Sequence, residues 1–283
     1  MNKYFSLVKF SHTVFALPFA LIGFFLGIES AKEELPIDTF IYVILCMVFA
    51  RTAAMAFNRF IDRKYDALNP RTASREIPAG VISPTSALWL TVLSSILFIS
   101  TTFFINSICF YLSPIALIVI LAYSYAKRFT PFCHLILGLG LSLAPIGAYL
   151  AVTGVFSLGP LLLSFLVFTW VSAFDIIYAL QDEEFDSSQK LKSIPVLLGK
   201  SRALLVSRVL HVMTGLLVIT IGFLYNYHLP YFLGSLLFVF LLFYQHSIVK
   251  PNDLSRVNLA FGTTNGIGSV VFGIAYILEI LLF

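Results

Sequence analysis

Nine long apolar runs spread along almost the whole chain leave it few ways to fold. They lie at about 13–28, 38–57, 86–105, 108–126, 132–152, 158–180, 203–225, 230–249 and 258–282. At the ~1.5 Å rise of a helical residue, each can cross, or nearly cross, the ~30 Å hydrocarbon layer of a bilayer. Lipid offers the backbone no hydrogen-bond partner, so a span must be a helix or a strand of a closed barrel. The runs are continuous and lack a barrel's alternation. With 59% hydrophobic and 11% charged residues, the 283-residue chain also lacks the polar surface that a soluble globule needs. The expectation is an all-α polytopic membrane bundle of about nine transmembrane helices. No linker or low-complexity stretch divides it, so residues 1–283 read as a single domain.

The charges orient this bundle. With the N-terminus inside, Lys3, Lys9, the 58–80 segment, Lys127, Arg128, the 182–202 segment, Lys250 and Arg256 share the cytoplasmic side. Of the 18 Lys and Arg residues only Lys32 falls clearly on the other side, and Arg51 lies within a span. This positive-inside asymmetry predicts a multi-pass protein of the cell inner (plasma) membrane, with the C-terminus on the opposite side. The first run is interrupted by Pro18 and must anchor the spans after it, so it reads as a retained helix and not as a cleaved leader. Cys46, Cys109 and Cys133 show no zinc or redox spacing. His12, His134, His211, His228 and His246 are scattered and read as structural. Neither nucleic acid nor an obligatory protein partner is expected.

Four of the 14 acidic residues form two pairs of identical spacing, Asp62/Asp66 and Asp182/Asp186, each just beyond an apolar run. Residues four apart share a helix face, so each pair makes a ridge of oxygen ligands. Asn58 adds an amide carbonyl to the first ridge, and Tyr178 shares the inward face of the second. Hard oxygens so arranged suit Mg²⁺, which is usually held by one or two carboxylates together with substrate phosphates. A solvated loop neutralised by Arg59, Arg63 and Lys64 explains the first pair by itself. It leaves unexplained a second pair with Asp175 seven residues upstream, since an unpaired acid deep in a bilayer costs about 3 kcal/mol.

The two segments also echo one another. Asp62 and Asp66 are followed by Glu76-Ile77-Pro78-Ala79-Gly80, and Asp182 and Asp186 by Ser193-Ile194-Pro195 and then Gly199. Each pair follows the second helix of a four-helix half, which predicts two related halves plus a ninth helix. Arg71, Arg75, Lys127, Arg128 and Lys192 read equally as topology anchors or as charges that together could neutralise a diphosphate.

At these motifs the chain resembles the UbiA superfamily of intramembrane aromatic prenyltransferases. The family's Asn-x3-Asp-x3-Asp pattern falls on Asn58, Asp62 and Asp66. Its second pattern, Asp-x2-Tyr-Ala-x-Gln-Asp-x3-Asp, falls on Asp175, Tyr178, Ala179, Gln181, Asp182 and Asp186. Residues 50–59 and Asn69-Pro70-Arg71-Thr72 look most like the 4-hydroxybenzoate polyprenyltransferase-like branch. Two departures, Asn58-Arg59 in place of Asn-Asp and Arg75-Glu76-Ile77-Pro78 in place of Arg-Pro-Leu, leave the acceptor open. It is either a benzoate or the naphthoate of the futalosine route to menaquinone.

The resemblance implies a central cavity capped by cytoplasmic loops and open laterally to lipid. It also implies Mg²⁺-dependent transfer of a polyprenyl group from polyprenyl diphosphate to a ring carbon of an aromatic acid, in ubiquinone or menaquinone biosynthesis. Asn58, Asp62, Asp66, Asp182 and Asp186 would then hold metal, and Lys127, Arg128, Lys192 and Arg71 the diphosphate. Arg75 and Tyr123 would hold the acceptor. Asp175 would orient Tyr178 or assist proton loss. A secondary transporter or channel is the rival of another class, but its acids belong near the bilayer midplane, whereas these gather at one face among basic residues.

Overall fold

The computed structural model describes residues 2–8, 15–32 and 34–283. Lys9, His12 and Glu33, the first two positions of the first predicted span and the side chain of Lys3 lie outside the described residues. The helices are α1 (Asn2–Val8), α2 (Leu17–Ala31), α3 (Ile37–Leu68), α4 (Pro84–Phe103), α5 (Ser107–Phe129) and α6 (Cys133–Thr153). They continue with α7 (Leu158–Ala179), α8 (Glu183–Ser188), α9 (Ile194–Leu224), α10 (Leu229–Ile248) and α11 (Asn265–Leu282), the last preceded by a π-turn at Leu259–Thr264. Eight are long and apolar enough to span a membrane, and the 15-residue α2 is a ninth apolar helix among the described residues.

Three boundaries depart from the sequence reading, each for a local reason. α3 continues to Leu68, so Asn58, Asp62 and Asp66 stand on one unbroken helix. It ends because a proline ring forces the residue before it out of the helical region, and Asn69, ahead of Pro70, is extended at φ −89°, ψ 118°. α7 stops at Ala179, and Leu180–Asp182 tighten into a 3₁₀ turn before α8. The second acid pair is therefore not the regular α-helical ridge that its spacing predicts. α9 begins at Ile194, well before 203: the Ser193 hydroxyl accepts from the Val196 N–H at 3.3 Å, and Pro195 occupies the first turn.

The echo between the two segments has a structural counterpart. Gly80 and Gly199 both adopt positive φ, at 72° and 76°: Gly80 lies before α4, and Gly199 kinks α9 between its first turn and its long apolar part.

An aromatic core including Phe19, Trp170, Phe174, Phe238, Phe272 and Tyr276 joins α2, α7, α10 and α11. α7 runs through the middle, and its segment is the most buried of the spans. Helices in lipid gain no hydrophobic drive from meeting one another, so close packing must supply the adhesion. A Cβ on Gly23 of α2 would lie 2.0 Å from the Pro145 carbonyl oxygen of α6, and one on Gly138 of α6 would lie 2.2 Å from Ser172 Oγ of α7. α3, α4 and α5 pack on one another, and α5 leans on α6. A cavity remains between this group and α6 and α7.

Candidate active site

The cavity measures about 940 Å³ and follows α3 from Val43 to Asp66. Its depth is walled by apolar side chains such as Met47, Ile120, Leu137 and Leu141. Its polar residues collect where α3, α5 and α7 all end: Asn58, Asp62 and Asp66, Lys127 and Arg128, and Asp175, Tyr178, Asp182 and Asp186 all line it. The loop after α3 closes over this end with Asn69, Arg71 and Arg75.

Each acid of the two pairs meets one basic residue, and the pairings cross. Arg71 donates to both carboxylate oxygens of Asp182, from Nε at 3.0 Å and from Nη2. Lys127 Nζ donates to Asp186 Oδ2 at 2.9 Å. Arg75 Nη1 returns to Asp66 Oδ1 at 2.7 Å, and Arg128 Nη2 reaches Asp62 Oδ1 at 3.0 Å. Thus one residue of the loop and one of the α5 terminus serve each motif.

The Asn-Pro turn aims the first of these contacts. Asn69 Oδ1 accepts from the Arg71 N–H at 2.9 Å while Asn69 Nδ2 donates to Asp182 Oδ1 at 3.3 Å. Arg71 Nη1 also donates to Tyr178 Oη at 2.9 Å, and its guanidinium lies 5.2 Å from that ring's centroid. Partial burial disfavours the charge of Arg71, but its hydrogen bonds to Asp182 and Tyr178 and the Asp182 charge more than offset this, so its pKa rises.

The oxygens suit a hard divalent cation. Asp66 Oδ2 is buried without a hydrogen-bond partner. Asn58 spends its N–H on Asp62 Oδ2 at 2.9 Å, and its carbonyl oxygen has no protein donor. No group of three His, Cys, Asp or Glu side chains among the described residues closes into a cage. The set therefore fits a metal whose shell is completed by phosphate oxygens, as Mg²⁺ is usually held.

One of the two roles expected of Asp175, orienting Tyr178, is not what the structure shows. Asp175 accepts at Oδ2 from His134 Nδ1, 2.7 Å away, and does not orient Tyr178, whose hydroxyl is taken by Arg71. His134 was overlooked because its partner stands 41 residues later, yet its place six residues after Arg128 put it at this end of the bundle. Lys192 is also displaced from its expected role: it is absent from the cavity wall, with its N–H given to Lys127 O at 2.7 Å and Nζ to Phe129 O at 3.2 Å. Arg75 lines the cavity but is already held by Asp66. Tyr123 lines the cavity wall, as do Arg51 and Arg59, which carried no site role in the sequence reading. His211 and His246 are not isolated either; they meet at 2.9 Å between α9 and α10, outside the cavity wall.

Comparison with known proteins agrees with this architecture. The model of the UbiA prenyltransferase family matches residues 16–270. A 4-hydroxybenzoate octaprenyltransferase of Photobacterium profundum is 30% identical over 247 residues, which cover 87% of this chain and 86% of that one. The apo structure of a UbiA homolog from Aeropyrum pernix K1 superposes with a TM-score of 0.85 at 32% identity, over 95% of this chain and 98% of that one. A UbiA homolog from Archaeoglobus fulgidus, solved bound to GPP and Mg²⁺, shares the fold with a TM-score of 0.77 at 24% identity, over 99% of this chain and 100% of that one.

Proposed function

Because this chain belongs to the UbiA prenyltransferase family and is a polytopic membrane enzyme, we propose that it transfers a polyprenyl group from a polyprenyl diphosphate to a ring carbon of an aromatic acid. The acceptor is 4-hydroxybenzoate or a naphthoate, and the product is a quinone precursor. The reaction takes place in the cell inner membrane, with the N-terminus and the polar end of the cavity on the cytoplasmic side and the C-terminus opposite. The observation that carries this reading is the crossed set of ion pairs at one end of a long apolar cavity. Acids and bases interleaved in this way offer neighbouring sites for a cation and for the oxygens of a diphosphate. A transporter needs no such concentration of both signs at one end. The naming of relatives as 4-hydroxybenzoate octaprenyltransferases supports the acceptor class, and a structural neighbour bound to GPP and Mg²⁺ supports the donor and metal.

In this mechanism Asn58, Asp62, Asp66, Asp182 and Asp186 hold Mg²⁺, which supplies positive charge to the diphosphate oxygens when bound. Arg71, Lys127 and Arg128 turn from their carboxylates to those oxygens and stabilise the charge that grows on them. The allylic C–O bond breaks with its electron pair leaving on diphosphate. The apolar wall, with Phe174 and Phe261 among its rings, keeps water from the allyl cation. The ring carbon beside the phenolic hydroxyl forms the new C–C bond. Asp175, steadied by His134, takes the displaced ring proton.

The test is a product assay on purified protein in lipid, supplying polyprenyl diphosphate with 4-hydroxybenzoate or a dihydroxynaphthoate and weighing the product. Transfer that needs Mg²⁺ and is lost in Asp62→Ala and Asp182→Ala is the expected result. Full activity in either variant removes that residue from the metal set.

A further inference from the structure

The cavity wall contains a cation that the ion-pair network does not use. Arg59 lies on α3 between Asn58 and Asp62, lines the cavity and is only 4% exposed. Its Nε is sealed from solvent and has no hydrogen-bond partner. Among the described residues no acceptor meets its Nη atoms, and the side chain lines the cavity. Asp66, Glu76 and Asp62 act on its charge through space, but none lies within ion-pair distance. Arg71, Arg75, Lys127 and Arg128 are each taken by a carboxylate, and Arg51 has interactions of its own.

A buried guanidinium with no ion-pair contact among the described residues is costly, and an anion entering from outside the chain would offset that cost. Position decides which anion. The helical rise places Arg59 ~4.5 Å deeper than Asp62 and ~10 Å deeper than Asp66. The three bases proposed to take the diphosphate head, Arg71, Lys127 and Arg128, stand with the acid pairs at the outer end, and Arg59 is not among them. A planar monoanion suits one planar fork, since an arginine binds a carboxylate through two parallel N–H donors.

We propose that Arg59 binds the carboxylate of the aromatic acceptor and so selects phenolic acids over neutral phenols. This rests on the prenyl-transfer reading and names the docking residue within it. It replaces Arg75, whose guanidinium is held by Asp66.

The experiment compares wild type with Arg59→Gln and Arg59→Lys in the full-length protein in lipid. KM is measured for polyprenyl diphosphate, 4-hydroxybenzoate and its uncharged amide, and Tm with and without 4-hydroxybenzoate or a dihydroxynaphthoate. Arg59→Gln is expected to raise KM for the acid about 10- to 100-fold, the loss expected for a charged hydrogen bond. The amide and diphosphate values should stay within about twofold, and the ligand-free Tm should not fall, because an unpaired charge has been removed. Heat stabilisation by the acids should disappear in Arg59→Gln and partly return in Arg59→Lys. A rise confined to the diphosphate KM overturns the assignment in favour of a phosphate site. If wild type transfers nothing to any aromatic acid, the prenyl-transfer reading fails while the Tm comparison still tests Arg59. Equal Tm responses of wild type and variants, including no stabilisation in any of them, overturn the inference. If Arg59→Gln does not fold, Arg59→Lys carries the same comparisons.

Discussion

Arg71 grips both carboxylate oxygens of Asp182, a residue 111 positions later in the chain, and so ties the loop after the first acid pair to the second. That contact requires the two motifs to face one another at the same end of the bundle. Replacing Arg71 with Ala is expected to lower kcat about 100-fold or more, the scale seen when one donor to a developing oxyanion is removed. Arg71→Lys should recover little, because a point charge cannot reproduce the two-pronged contact. Steady-state kinetics on both variants check this.

Metal dependence should carry the mark of an incomplete shell. With no closed cage among the described residues, half-saturation by Mg²⁺ is expected to fall at least about tenfold once a polyprenyl diphosphate or its unreactive analogue is present. Asp66→Asn, which blunts the unpartnered Oδ2, should weaken metal affinity about 10- to 100-fold and be rescued by excess Mg²⁺. Titrations of metal with and without the diphosphate give both numbers.

His134 acts through Asp175. His134→Gln is expected to lower kcat about 10- to 100-fold with KM for both substrates unchanged, since a general base contributes about 100- to 10,000-fold and losing the imidazole that orients it forfeits only part of that. A variant that loses affinity for either substrate in step with kcat would instead make the pair part of a binding wall.

Packing can be probed away from the chemistry. Gly138→Ala drives a methyl onto Ser172 Oγ, whereas Gly147 on the same helix has nothing within 4 Å of an added Cβ. The first substitution is expected to cost about 1–3 kcal/mol, and Gly147→Ala to leave melting unchanged or slightly raised. Thermal melts of the two variants in one detergent settle the contrast.

The legible part of this protein is what repeats locally. Asn58, Asp62 and Asp66 could be placed on one face because α3 continues unbroken beneath them. The second set shares the same spacing, yet nothing in Leu180-Gln181-Asp182 announces the 3₁₀ turn that α7 makes on leaving its packed surroundings. Which base meets which acid was hidden, because Arg71–Asp182 and Lys127–Asp186 join residues far apart in sequence. Lys192 misled for the same reason: its charge was visible, while the backbone tie to Lys127 that turns it away was not. Arg59 was readable in principle, since residues three and seven before Asp62 and Asp66 share their helix face. It was set aside as one more neutralising charge.

The proline that ends α3 has a consequence for the order of events. By turning the chain at Asn69, it leaves Arg71 and Arg75 on a short strap whose contacts with the rim include the carboxylates of Asp182 and Asp66, the Tyr178 hydroxyl and the Asp66 carbonyl. A phosphate-bearing guest would compete with those carboxylates for the Arg71 guanidinium, so the strap would exchange one anchor for another as the guest arrives and leaves. The same charges would then serve in turn the resting rim and the bound headgroup.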